Sequence, residues 1–206
     1  MATSACAVRT HVTSSDVTTT VRACFAILRQ IRSVHRSLSR PAMLTLLRSL
    51  VINKLDFCGS VIAGAPDVLL LRLQSVLNAA VRLVFSAKKY DHTTPLLREL
   101  HWLKVPERVK FRLCVLTYRC LNGTAPHYLA ETIHPVTSRG TQQRLRSADT
   151  STLLVPPTRR TTLGDRSFPA AAARAWNTLP QQVQDAPSLP VFRRELKTVL
   201  FQSSFL

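Results

Sequence analysis

Residues 67 to 85 leave this chain few ways to fold. The stretch carries Val68, Leu69, Leu70, Leu71, Leu73, Val76, Leu77, Val81, Leu83, Val84 and Phe85. At ~100° per residue, those side chains cover more than one face of a helix. Asp67 opens the segment, and the polar, basic turn Lys88-Lys89-Tyr90-Asp91-His92 closes it. A helix apolar nearly all round needs neighbours on several sides. The face expected to be most buried carries Leu70, Leu73, Val76, Leu77, Ala80, Val81 and Val84. The segment therefore predicts the heart of a helical bundle. No uncharged apolar run in the chain approaches the ~18 residues needed to cross a bilayer, so no membrane span is expected.

The neighbours are legible on either side. Asp16 suits the N-cap of a helix running to about Leu38, with Val17, Val21, Cys24, Phe25, Leu28, Ile31 and Leu38 at helical spacing. Pro41 suits the first turn of a second helix through Met43, Leu44, Leu47, Leu50 and Val51. Gly59 and Gly64-Ala65-Pro66 interrupt the pattern. A short helix is expected near Pro95 to Leu100, then another from Pro106 through Val109, Leu113, Leu116, Tyr118 and Leu121, stopped by Asn122-Gly123.

After about His134 the composition changes. Prolines 135, 156 and 157 and glycines 140 and 164 stand among Thr, Ser and Arg. Leu153-Leu154-Val155 and Thr161-Thr162-Leu163 can pair there as a short hairpin. Two final helices are expected, near Ala170 to Leu179 and from Ser188 or Leu189 to Gln202. The predicted fold class is mainly α. A leader over 1–15 precedes a multi-helix bundle over 16–134, a looser connector over 135–168 and C-terminal helices over 169–206.

Charge speaks to partners. The chain has 28 Lys and Arg against 11 Asp and Glu, a net +17. That excess points to nucleic acid or another anionic surface. No acid lies between Asp16 and Asp56. On a continuous first helix, Arg22, Arg29, Arg32, Arg36 and Arg40 would cluster within about a quarter-turn beside the apolar stripe. A solvated face normally mixes signs through i,i+4 pairs. Unrelieved like charge instead favours an external anion, with phosphate first. Plain solvation and an acidic membrane or protein surface are the alternatives.

Catalytic signatures are missing. Two-metal phosphoryl transfer needs carboxylates converging on ions ~4 Å apart. The chain has no Asp-Asp, Asp-x-Asp or Glu-x-x-Glu, no Walker loop, no dinucleotide fingerprint and no Gly-x-Ser-x-Gly. No catalytic residue, metal ligand, cofactor or small-molecule ligand is expected. Scattered histidines and five cysteines without a C-x-x-C pair argue against a zinc site and for reduced thiols in an intracellular protein. Trp102 and Trp176 are read as packing anchors.

A series of short words runs through the last three-quarters of the chain. They are Leu55-Asp56-Phe57-Cys58, Leu73-Gln74 with Asn78-Ala79-Ala80-Val81-Arg82, Leu100-His101-Trp102-Leu103, Ala125-Pro126-His127-Tyr128-Leu129, Leu145-Arg146-Ser147, Gly164-Asp165-Arg166-Ser167-Phe168, Trp176-Asn177-Thr178-Leu179-Pro180 and Phe192-Arg193-Arg194-Glu195-Leu196 with Lys197 to Phe201. In that order and at those separations they resemble the C-terminal part of LINE-type (non-LTR) retrotransposon reverse transcriptases, in the clade of jockey and chicken-repeat elements, over residues 17 to 201. The resemblance implies a polymerase thumb over residues 17 to 133, which would hold template–primer through its backbone. The catalytic palm, with its paired aspartates, would lie ahead of Met1. It also implies an RNA-binding or structural extension over 140 to 201, and the missing palm or another protein chain as a partner. The expected function is that of a non-catalytic reverse-transcriptase fragment binding RNA or DNA backbone. A helical protein-interaction module is the alternative.

Overall fold

The computed structural model describes residues 14–59, 66–136, 152–157 and 167–205. It is mainly helical, as expected. In chain order the helices are α1 (Ser14–Ser33), α2 (Arg40–Leu47), α3 (Asn53–Gly59), α4 (Asp67–Val84), α5 (Thr93–Glu99), α6 (Val105–Leu121), α7 (His127–Ala130), α8 (Phe168–Asn177), α9 (Gln181–Gln184) and α10 (Leu189–Phe205).

Helix α1 stops five residues short of the expected end. His35 begins a 3-10 turn, and its Nε2 reaches the Leu83 carbonyl oxygen at 3.2 Å on the last turn of α4. A tertiary bond replaces one more helical turn. Helices α2 and α3 join through a π turn at Arg48–Ile52, with helical backbone at both Arg48 and Asn53. The second helical segment thus runs past Val51 to Gly59. Ser39 caps its start by accepting the Ala42 N–H at 3.4 Å, and Pro41 sits in its first turn. Just ahead of the π turn, Thr45 Oγ1 donates to the Pro41 carbonyl. Inside it, Ser49 Oγ bonds the Thr45 and Leu46 carbonyls. Such back-bonding loosens the backbone ladder and bends helices.

Three helices end alike. The N–H one position past a left-handed residue bonds a carbonyl five residues back: Ala87 to Arg82, Trp102 to Leu97, and Thr124 to Arg119. The left-handed residues are Ser86, His101 and Gly123, at φ 51°, 52° and 66°. Only the last is the glycine that this motif prefers.

Helix α6 is the common wall of two hydrophobic cores. Val105, Val109 and Leu113 face one formed with α1, α2, α3 and α4, around Cys24, Leu47, Leu73, Val76 and Leu77. Cys114, Tyr118 and Cys120 face another that contains Ile133, Leu153, Trp176, Phe192 and Leu196. Tyr118 stacks on Phe192 with centroids 4.5 Å apart, and Trp176 stacks on it from 5.7 Å. The Tyr118 hydroxyl donates to the Ala186 carbonyl at 2.8 Å, which satisfies a polar atom in that core. Trp102 and Trp176 are both buried, as packing anchors should be.

Gln74 explains part of one short word. Its Oε1 accepts the Val105 N–H at 2.8 Å, supplying the N-terminus of α6 with a side-chain acceptor, and its Nε2 donates to Asn78 Oδ1. Burial of α4 is less complete than its composition predicts. From Leu73 to Val84 it is packed, but Val68 and Leu71 are 62% and 66% exposed. The first turns of α4 thus carry an open apolar strip. Leu153 forms an antiparallel bridge with Pro135, flanked by bonds from Val136 N–H to the Thr152 carbonyl and from Leu154 N–H to the His134 carbonyl. Its expected hairpin partner, residues 161–163, lies outside the described residues.

Candidate nucleic-acid interface

The break after Ser33 redistributes the five arginines. Arg22, Arg29 and Arg32 remain on α1, all exposed. Arg22 and Arg29 lie near one line, about 10 Å apart along the axis. Arg36 moves onto the 3-10 turn, and Arg40 opens α2. A continuous five-arginine stripe is therefore not formed, because the helix that would carry it ends first.

Arg40 is also opposed. Its Nη2 bonds Glu99 Oε1 at 2.9 Å, and its guanidinium lies 4.6 Å from the Phe85 ring centre. Both partners of that ion pair are more than half exposed, so the pair adds little stability. It does give Arg40 a carboxylate that the local sequence gave no reason to expect. Among the described residues, Arg22, Arg29, Arg32 and Arg36 have no ion pair.

Arg32 and Arg36 line a groove of about 700 Å³ between the end of α1 and the end of α4. The opposite wall is Arg82, Leu83, Ser86, Ala87 and Lys89. Four cationic side chains thus meet at a concavity with no carboxylate among the described residues of its lining. His35 also lines the groove, and its Nε2 lies 3.3 Å from Ser86 Oγ as well. A hydrogen bond to the Leu83 carbonyl requires the proton on Nε2. Arg82 is steadied by the Asp91 carbonyl, which accepts from Nη2 at 3.0 Å. The Asp91 carboxylate turns to the Lys88 backbone N–H at 2.7 Å.

The sequence reading missed Arg82 and Lys89. Arg82 sits in a helix that looked wholly structural, and Lys89 in a turn. The signal that could have found them was the basic cluster closing α4, considered as one end of a helix packed against α1.

Two buried thiols lie on α6. Burial pushes the Cys114 thiol up from 9.0 to about 12, against the pull of nearby Lys110. Burial also raises Cys120, with Arg119 opposing. A thiol so raised is a poor nucleophile at neutral pH. Among the described residues, no three His, Cys, Asp or Glu side chains gather closely enough to hold a metal ion, and no helix is long and apolar enough to cross a membrane.

No family model matches this chain, and neither the curated proteins nor the solved structures offer a match. Fold and site by themselves define a class: a basic, mainly α protein with a cationic groove between two packed helices.

Proposed function

We propose that the chain binds the sugar–phosphate backbone of RNA or DNA through this groove and catalyses no reaction itself. The observation that carries the reading is the convergence of Arg32, Arg36, Arg82 and Lys89 on one concave surface, with no acid among the described residues that line it. Arg22 and Arg29 extend the positive surface along α1. Each backbone phosphate that such a row neutralises releases counterions. The resemblance to the thumb region of retrotransposon reverse transcriptases points the same way, toward a fragment that holds template–primer or element RNA while the polymerase palm does the chemistry.

The test is binding to a duplex across a range of salt. Four phosphate contacts imply a log–log slope of about −3.6 on DNA. Replacing Arg32 and Arg36 by Gln should flatten it by about two. No base preference is expected, because backbone contacts position a duplex without reading it. An unchanged slope in the double variant overturns the reading.

One observation favours the alternative of a protein-interaction module. Val68 and Leu71, three residues apart on α4, form an exposed apolar strip, and such strips seek partners. Replacing both by Lys should abolish any self-association or capture of a protein partner and leave the salt slope untouched.

A further inference from the structure

A second cavity, sharing no residue with the groove, lies where three irregular features meet. It measures about 470 Å³, within the range of small-ligand sites. The π turn supplies Arg48 and Ile52. The left-handed cap of α5 supplies His101, whose ring stacks on Phe201 at 5.5 Å and 16°. The third feature is an ion-paired clamp. Asp56 takes Arg108 Nε and Nη2 on its two oxygens at 2.8 Å each, and Arg112 Nη2 at 3.1 Å.

The clamp fixes the charge of the site. Among the described residues of the lining, Arg48, Arg108, Arg112 and Lys197 stand against the single carboxylate of Asp56, an excess of three positive charges. Asp56 holds Arg108 by both oxygens, while Arg48 and Lys197 are exposed. The other wall is apolar: Leu100, Leu103, Phe111 and an edge of Trp102. Strained left-handed backbone and π turns both concentrate at ligand sites. Here one of each borders the same cavity.

We propose that this cavity binds a phosphorylated nucleoside, with the phosphate on Arg48, Arg112 and Lys197 and the base against the Phe111 wall. A bare anion would have no use for the apolar wall, and an apolar ligand none for the excess charge. The ligand chemistry fits a free mononucleotide or the 5′-phosphorylated end of a strand. The proposal does not depend on the groove between α1 and α4.

Calorimetric titration of the full chain tests it, with adenosine 5′-monophosphate, adenosine, inorganic phosphate and a 5′-phosphorylated dinucleotide as probes. The monophosphate should bind at least about tenfold more tightly than adenosine, since charge-assisted bonds to phosphate carry that difference. It should also outcompete inorganic phosphate by a similar factor. Whichever of the mononucleotide and the dinucleotide binds more tightly identifies the source. Arg48→Gln with Lys197→Gln should weaken the tighter one about tenfold or more. Both positions are exposed, so the core is not disturbed. Equal binding of adenosine and its monophosphate, equal binding of phosphate alone, or an unaffected double variant each overturns the assignment. Arg32→Gln with Arg36→Gln should leave this titration unchanged, so failure here and failure of the groove are separable.

Discussion

Asn177 holds Leu153 by both of its backbone polar groups. Its Oδ1 accepts the Leu153 N–H at 2.9 Å, and its Nδ2 donates to the Leu153 carbonyl at 2.9 Å. One side chain thus imitates a neighbouring β-strand. It ties the 152–157 segment to the end of α8, while Trp176 beside it anchors the core. The Trp-Asn pair at the end of α8 is a packing residue followed by a clamp.

Asn177→Ala should therefore cost about 1–3 kcal/mol, because it leaves two backbone groups of a buried residue without partners. Asn177→Asp should cost nearly as much, since a carboxylate cannot donate to the Leu153 carbonyl. Denaturant midpoints measure both. A loss below about 0.5 kcal/mol would mean that water replaces the clamp without penalty.

Asp56 sits at 14% exposure between two arginines. Asp56→Asn should destabilise the fold by about 2–3 kcal/mol, less than for a fully buried pair because Arg112 is partly solvated. A neutral result in thermal unfolding would show that the two arginines are hydrated in place.

Ser86 and Gly123 occupy equivalent left-handed positions after α4 and α6. Ser86→Gly should raise stability by about 0.5–1 kcal/mol through relief of backbone strain, less whatever the Ser86–His35 contact contributes. Gly123→Ala should lower it by about 1 kcal/mol. Nothing lies within 4 Å of a Cβ there, so the loss is purely conformational. The two variants should move the melting temperature in opposite directions.

The raised Cys114 thiol makes stability depend on pH. The folded chain keeps its proton up to about pH 12, whereas an unfolded thiol releases it near 9.0. The stabilisation is thus fully present below pH 9 and is lost as pH rises toward 12. Cys114→Ala removes that dependence, so its deficit relative to the parent chain should narrow between pH 8 and 11. A constant gap in melting temperature across that range would contradict the burial.

Helical periodicity and punctuation determined most of the fold. The bounds of α4 and the end of α6 follow from apolar spacing, Asp67 and Asn122-Gly123, because a 3.6-residue repeat and its stop signals act within a few residues. Helices α8 and α10 lie within two or three residues of their expected bounds, and the short α7 and α9 were not anticipated. The net charge and the arginine-rich first helix were equally plain. Other features needed residues far apart in the chain. The Leu83 carbonyl ends α1 early by engaging His35, Glu99 answers Arg40 across the fold, and Leu153 pairs with Pro135 and Asn177. The groove itself needs Arg82 and Lys89 opposite Arg32 and Arg36. Local pattern says which face of a helix is apolar, but not which other helix will cover it or which charges that neighbour brings. That choice belongs to packing, because it is the burial of α4 against α1 that brings the two basic ends together.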